Sequence, residues 1–370
     1  MLGEPDILNL SPQKLERIAK LTMNSKIKLL MTGAGAPGGP GIIQALKKDR
    51  MINLYTADAN PNASGRYLYN ECPFYKIPKA DDSNFIKFLL NLCIKLKINV
   101  ILPLVTKELF KLSIYKKQFL KKNIKIIVSD KDALFLINNK CSLYKHLKNN
   151  KIEVPEFFIA SNKAELKKAA IKLNYGQVPI VIKPCIGNGS RGIRILDKNA
   201  DKFDMLFNHK PNPIFSTLNE VLSTIGDKKI PKILVSEYLP GDEFTIDTIV
   251  NNGSIVDFLI RTRTSINNGI STSGSFIDNR EIYEYIKKII SIIPGLSGPI
   301  GFQVKRSKKN KFLLLESNPR LQGTSVAALG LDVNLPLRAV KQILGIKLKK
   351  ISKHSGVSFV RYYKETFYDS

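Results

Sequence analysis

Histidine is scarce in this chain: His146, His209 and His354 are all that 370 residues contain. None stands beside a serine or cysteine in a nucleophile motif, which sets aside hydrolase triads. Cysteine is scarce too. Cys72, Cys93, Cys141 and Cys185 are widely spaced and form no CxxC pair. A zinc site is therefore not indicated, and a reducing, cytoplasmic setting fits. Long hydrophobic runs are missing: nothing approaches the roughly 18 unbroken apolar residues of a spanning helix. The longest runs, such as Phe312 to Leu315, are strand-sized. The opening MLGEPDILNL lacks a basic start followed by an apolar stretch, so no secretory signal is expected.

Acidic residues are also in short supply, 31 against 58 Lys and Arg, for a net charge of +27. A basic chain can mean nucleic acid or an anionic membrane. Here the excess is mostly Lys, scattered along the whole chain among Ile and Asn, which is a compositional pattern rather than a patch. Attraction for phosphate-bearing ligands follows either way. The hydrophobic content of 44% is ordinary, and the length suits two or three domains.

Residues 27 to 32 (IKLLMT) read as a buried strand, followed by a Gly/Pro loop and a helix from about Gly41 to Lys48. A second strand runs from 52 to 57 and ends at Asp58. Phe85 to Lys97 has helical periodicity; Val100 to Leu104 and Ile124 to Val128 are further strands. Strands alternating with helices predict a parallel, doubly wound sheet. After Asp130 a helix carrying Lys140 and Tyr144 is followed by mixed α+β texture. Strands are expected at 180 to 183, 193 to 196, 233 to 237, 243 to 250, 255 to 263, 300 to 305 and 311 to 316, and a helix at 281 to 292. The basic tail beyond about residue 346 suggests no element.

Gly33, Gly35 and Gly38 fit G-x-G-x-x-G after a strand, with Asp58 where a ribose-binding acid would sit. Alone this says NAD. Pro37 and Pro40, however, remove two of the N–H groups a pyrophosphate would need. The other reading is a tight strand-to-helix turn at the sheet's C-terminal edge.

Four separated elements carry stronger chemistry. Lys183 ends an apolar strand and is followed by Gly187-Asn188-Gly189-Ser190-Arg191-Gly192. A cation beside free backbone N–H groups suits a polyphosphate. A plain hairpin would explain the glycines but not a buried Lys. Glu237-Tyr238-Leu239 runs into a turn before Glu243, an arrangement for adenine and ribose or simply a surface turn with solvated acids. Gln303 lies on one apolar strand, and Glu316 and Asn318 sit two apart on the next, sharing a face. Three oxygen donors of this kind suit Mg²⁺. Arg320 follows, presented by Pro319, where it can neutralise a transferring phosphoryl group. Lys140, taken alone, reads as solvated surface.

Together these segments resemble the ATP-grasp superfamily, and most of all its carbamoyl-phosphate-synthase-like members with a single ATP-grasp unit, over about residues 26 to 346. TGAGAPGGPG, DANPNASGRYLY, LPLVTKEL and LLLESNPR carry the likeness. The resemblance implies an α/β fold: an N-terminal extension (1–25), a Rossmann-like pre-ATP-grasp domain (26–130), and a two-subdomain ATP-grasp domain (131–346) with a smaller lid at about 155–237. A basic tail (347–370) follows. It implies ATP contacts at Lys140, Lys183, Gly187, Gly189, Ser190, Arg191, Gly192, Glu237, Tyr238, Leu239 and Glu243. Mg²⁺ would be held by Gln303, Glu316 and Asn318, and substrate by Arg261, Arg263 and Arg320. Lys183 and Arg320 would be catalytic. True carbamoyl phosphate synthetases have two such halves, which makes that particular product unexpected here.

The expected activity is an ATP-dependent carboxylate–amine ligase passing through an acyl phosphate and releasing ADP and phosphate. Its partners would be small carboxylates and amines, with no membrane and no specific nucleic acid; a homodimer stays open. An NAD-dependent oxidoreductase, resting on Gly33 to Gly38, and a non-catalytic nucleic-acid-binding protein, resting on charge, are the alternatives. Neither accounts for Gln303, Glu316, Asn318 and Arg320.

Overall fold

A computed structural model describes residues 26–68, 72–187, 191–208, 214–267 and 269–368. The N-terminal extension, Gly189 and Ser190 lie outside these residues.

The first sheet holds β1 (Ile27–Thr32), β2 (Ile52–Asp58), β3 (Phe74–Lys76), β4 (Val100–Pro103) and β5 (Lys125–Ile126), all parallel, in the order β3-β2-β1-β4-β5. Helices α1 (Gly39–Lys47), α2 (Phe85–Leu96) and α3 (Thr106–Leu120) connect them. β1 and β4 read as continuous apolar runs because helices cover both faces of a parallel sheet. The chain winds outward from β1 through β2 and β3, then returns to β4 on the other side of β1. The C-terminal ends of β1 and β4 therefore flank a topological switch point, where open α/β sheets form ligand crevices.

Helices α4 (Lys131–Asn138) and α5 (Lys140–Asn149) lead into a second sheet, β6 (Phe157–Ala160), β7 (Ile180–Pro184), β8 (Arg194–Leu196), β9 (Phe215–Ser216) and β10 (Ile233–Glu237), ordered β6-β10-β7-β8-β9. It has a small core of its own against α6 (Lys163–Lys172), while α7 (Lys202–Phe207) and α8 (Leu218–Ile225) complete the region. The third sheet comprises β11 (Glu243–Asn251), β12 (Ser254–Thr262), β13 (Ser265–Asn267), β14 (Ile270–Ile277), β15 (Gly298–Arg306) and β16 (Phe312–Asn318). Helix α9 (Arg280–Ser291) is capped by Asn279, whose side chain accepts from Ile282 N. It buries Ile282, Ile286, Ile289 and Ile290, one helical stripe, beneath this sheet. Helix α10 (Leu335–Ile343) packs near the first sheet's α1.

One apolar cluster runs from Leu29, Met31 and Leu102 of the first sheet to Ile249, Leu259 and Phe276 of the third and Leu335 and Ala339 of α10. The crevice between these regions thus sits on shared core. The C-terminal tail, for which the sequence offers no element, ends in β17 (Ser358–Val360), which pairs antiparallel with β14. Strand Ile124–Val128 is shorter than expected, and the helix predicted from Gly41 starts at Gly39. The widely spaced cysteines are a further correction: Cys141 and Cys185 are disulfide-bonded, their Cα atoms 5.1 Å apart. Spacing in sequence hid the pair, because packing of the α5 N-terminus on the end of β7 is what joins them. No helix among the described residues is long and apolar enough to cross a membrane.

Candidate active site

The site is built on β15 and β16. Gln303 pairs with Glu316, and Gly301 with Asn318, but Val304 pairs with Leu314. Leu315 is thus an extra residue, a β-bulge, and it inverts the alternation of β16. Phe312 and Leu314 belong to the core below the sheet; beyond the bulge Ser317 takes over that side, its hydroxyl donating to Ile137 O. Glu316 and Asn318 are turned to the opposite face. The bulge also frees the Leu315 carbonyl, which accepts from Lys183 Nζ at 2.9 Å and Tyr144 OH at 3.3 Å.

Lys140 and Lys183 meet Glu316 here. Asn139 caps α5 by accepting from Ser142 N, which sets Lys140 at the first helical position. Lys140 is buried rather than solvated, unlike its reading in isolation: Nζ lies 3.3 Å from Glu316 Oε2 and donates to Gly187 O at 3.0 Å. Its backbone N donates to Cys185 O at 2.8 Å, so helix and strand are tied beside the disulfide. Burial, and then the charge of Lys140, pull the Lys183 ammonium down to about 8. Burial opposes ionisation of Glu316, yet Lys140, Lys183 and the Asn318 amide at 3.2 Å hold its carboxyl below the usual range. Lys140, Lys183, Pro184, Gly187, Arg191, Ile193 and Glu316 line one crevice. Gly192 closes the loop with φ +75°.

Gln303, Glu316 and Asn318 offer one carboxylate and two amide oxygens. Among the described residues no group of three His, Cys, Asp or Glu could hold a metal by itself. These hard oxygen donors fit a small divalent cation that completes its shell with phosphate and water. Arg320 is half-buried, and desolvation lowers its guanidinium pKa despite Glu316; Nε reaches Thr106 Oγ1 at 3.4 Å.

Other predicted residues are engaged differently. Glu237 Oε1 accepts from Glu156 N at 2.8 Å and pins β6 to β10. Tyr238 lies under Lys305, 5.0 Å from ring centre to Nζ, and Leu239 is buried. Glu243 contacts Arg263 Nε at 2.8 Å, close but not aligned as a hydrogen bond, while Arg263 Nη2 donates to Gly269 O at 2.9 Å. Arg261 is fully buried and paired with Asp247 Oδ2 at 2.8 Å, so it is not the free cation its sequence position suggests. The partners of both arginines lie on β11, invisible without strand register.

The first glycine loop packs against the start of α3 and residues 322–323. Gly33 has φ +77°, and a Cβ there would stand 2.7 Å from Val105 Cγ2. The two Asp58 oxygens accept from Gly35 N and Asn60 N, both at 2.8 Å, so the acid braces the loop instead of waiting for a ribose. One group the sequence reading missed is Glu108, in the first turn of α3. It is buried against the Thr32 hydroxyl, and desolvation raises it to about 7. Its signal was an acid just past a strand end, in LPLVTKEL.

Comparisons with known proteins agree with this architecture. Residues 229–366 match the family described as ATP-grasp in the biosynthetic pathway with Ter operon. Residues 14–127 match the PylC-like N-terminal domain. The chain has the ATP-grasp fold, preceded by the segment that is similar to the PylC-like N-terminal domain. No curated protein matches. Among solved structures, N5-carboxyaminoimidazole synthetase from Staphylococcus aureus complexed with ADP superposes with TM-score 0.67 at 18% identity, covering 88% of this chain and 79% of that one. L-amino acid ligase from Bacillus licheniformis gives 0.63 at 14%, covering 87% and 75%. The biotin carboxylase domain dimer of Hydrogenobacter thermophilus 2-oxoglutarate carboxylase, with MgADP and bicarbonate, gives 0.64 at 14%, covering 88% and 72%. At such identities the likeness is one of fold.

Proposed function

We propose that this protein is an ADP-forming carboxylate–amine ligase using ATP and Mg²⁺. The observation that carries the reading is the gathering of Lys140, Lys183, Glu316, Gly187 and Arg191 around one crevice, with Gln303 paired to Glu316 and the Asn318 amide donating to it. The neighbours crystallised with ADP or MgADP support it. In this reading residues 26–130 form the domain that carries the acceptor side, 131–346 the catalytic domain, and about 155–237 its lid.

Lys140 and Lys183 bind the ATP phosphates, exchanging the carbonyls of Gly187 and Leu315 for phosphate oxygens. The backbone of residues 237–239 borders adenine, with Glu243 on the ribose side. Gln303, Glu316 and Asn318 hold Mg²⁺, which when bound neutralises phosphate charge. Arg320 orients the attacking carboxylate and balances charge as the γ-phosphoryl moves to it. Arg263 faces the same region. An amine then displaces phosphate from the acyl phosphate, and closure of the lid loop keeps water out. Small carboxylates and amines are the partners, and the product is an amide or peptide bond.

The test is to supply MgATP, hydroxylamine and a panel of carboxylic and amino acids. A hydroxamate formed together with ADP supports the reading. AMP and pyrophosphate with a turned-over acid would refute the acyl-phosphate route.

A further inference from the structure

A second pair of cations stands away from the phosphate end. Arg261, Thr245, Gln303 and Glu316 form one row across β12, β11, β15 and β16. In-register neighbours share a face, so Arg261 lies on the side of Glu316, about 14 Å away at three strand spacings. Asp247 takes Arg261 Nε and Thr324 Oγ1 takes Nη1 at 2.6 Å, but Nη2 is enclosed with no partner. An enclosed guanidinium donor without an acceptor is costly and calls for one.

β17 brings the second cation. Phe359 lies over the Arg261 guanidinium at 5.8 Å. Two residues on, Arg361 donates its backbone N to Thr272 O at 2.7 Å and its Nη2 to Pro37 O at 3.1 Å. Tyr368 stacks on Tyr67, ring centres 3.9 Å apart, so the segment spans from β14 to the 58–67 loop. Gly38 and Gly323 touch beneath it: a Cβ on Gly38 would come within 3.0 Å of Gly323 Cα. Arg263 and Arg338 have carboxylates of their own, Glu243 and Asp257. Arg361 has no acidic partner among the described residues, and Arg261 is a like charge near it.

We propose that Arg361, backed by the open Nη2 of Arg261, forms an anion subsite between β17 and the first glycine loop. It binds a carboxylate or phosphate group of the substrate other than the one activated. This deepens the ligase reading and rests on it for the identity of the crevice. The substrate class that follows is a molecule with a second anionic group several bonds from the reacting centre.

The experiment is titration of the full chain, saturated with MgADP, with succinate, its neutral isostere succinamide, and inorganic phosphate. Succinate or phosphate, but not succinamide, is expected to raise Tm. In Arg361→Ala the dissociation constant should rise about tenfold, the loss of one charge-assisted contact. Arg361→Lys should fall between, since it keeps the charge and loses the fork. Arg361 is exposed on an edge segment, so these variants test binding rather than folding. A shift with succinate alone assigns a carboxylate, and one with phosphate alone a phosphate. Absence of any anion shift in the wild type, or equal affinity in Arg361→Ala, overturns the subsite. MgADP binding is read first and separately: its absence counts against the ligase reading, and the anion titration repeated without nucleotide still decides Arg361.

Discussion

The two glycine loops answer the same sequence texture in opposite ways. The 33–38 loop is packed tightly: Gly33 abuts Val105, Gly38 abuts Gly323, and Asp58 fixes the backbone. At the second, Gly187 is held by Lys140, whose Nζ donates to its carbonyl, two residues past the Cys141–Cys185 bond. A Cβ on Gly187 would meet only ordinary contacts, the nearest at 3.7 Å. Their electrostatics differ as well. The first loop has a buried acid behind it, Glu108, and the second a buried base, Lys183. Glycines in the first serve close packing; in the second Gly192 does so too, where a Cβ would stand 2.7 Å from Pro184 Cγ, while Gly187 has space around it.

The sharpest way to separate the loops is to remove the cation. Lys183→Met keeps the length and loses the charge, and ADP formation should fall about 100-fold or more. Measuring ADP release and MgADP affinity together checks this; near-normal turnover would remove Lys183 from the phosphate site. Next in size is the tether. Reducing Cys141–Cys185, or replacing both with Ser, frees a cross-link between residues 44 apart in sequence. Chain entropy puts this at about 4 kcal/mol. A fall in Tm with reductant should accompany easier proteolysis near 187–192, while the 33–38 loop stays protected. An unchanged Tm in reductant would mean the bond does not constrain the fold.

Gly33→Ala should lower stability by about 1–3 kcal/mol, through positive φ and the Val105 clash. Gly187→Ala should leave Tm within about a degree and change the KM for ATP instead. Equal Tm losses would erase the contrast drawn between the loops. The smallest effect is in pH. Folding raises Glu108 from 4.5 to about 7, so the native state holds an extra proton between those values. The stability it contributes is complete below about 4.5 and is lost as pH rises through 7. Glu108→Gln should therefore flatten the urea-melt pH profile, gaining more at pH 8 than at pH 5. Lys183 runs the other way: its folded value falls from 10.5 to about 8, so relief of its buried charge adds stability from pH 8 upward, while MgADP binding weakens.

Much of the framework was legible. Apolar runs gave β1 and β10 to the residue, and the periodicity of Phe85 to Lys97 gave α2. Glu316 and Asn318 stood out because oxygen donors two apart on an apolar strand share a face. What stayed hidden depends on distant partners. Glu237, Glu243 and Arg261 have visible charges, but their pairing with Glu156 N, Arg263 and Asp247 comes from strand register. β14 and β17 escaped notice because a Ser- and Thr-rich strand and a three-residue one have little hydrophobic alternation to betray them.

The bulge at Leu315 makes the site vulnerable to an edit that touches no ligand-binding side chain. Deleting that one residue would restore regular pairing between β15 and β16. The faces would be kept, since Glu316 would still oppose Gln303 and Ser317 would still oppose Phe302, but the carbonyl that Lys183 Nζ and the Tyr144 hydroxyl share would be gone. A reading frame kept in phase and every polar residue retained would still yield a protein whose buried Lys183 had lost a carbonyl acceptor. Spacing along β16, as much as composition, is therefore part of what this chain encodes.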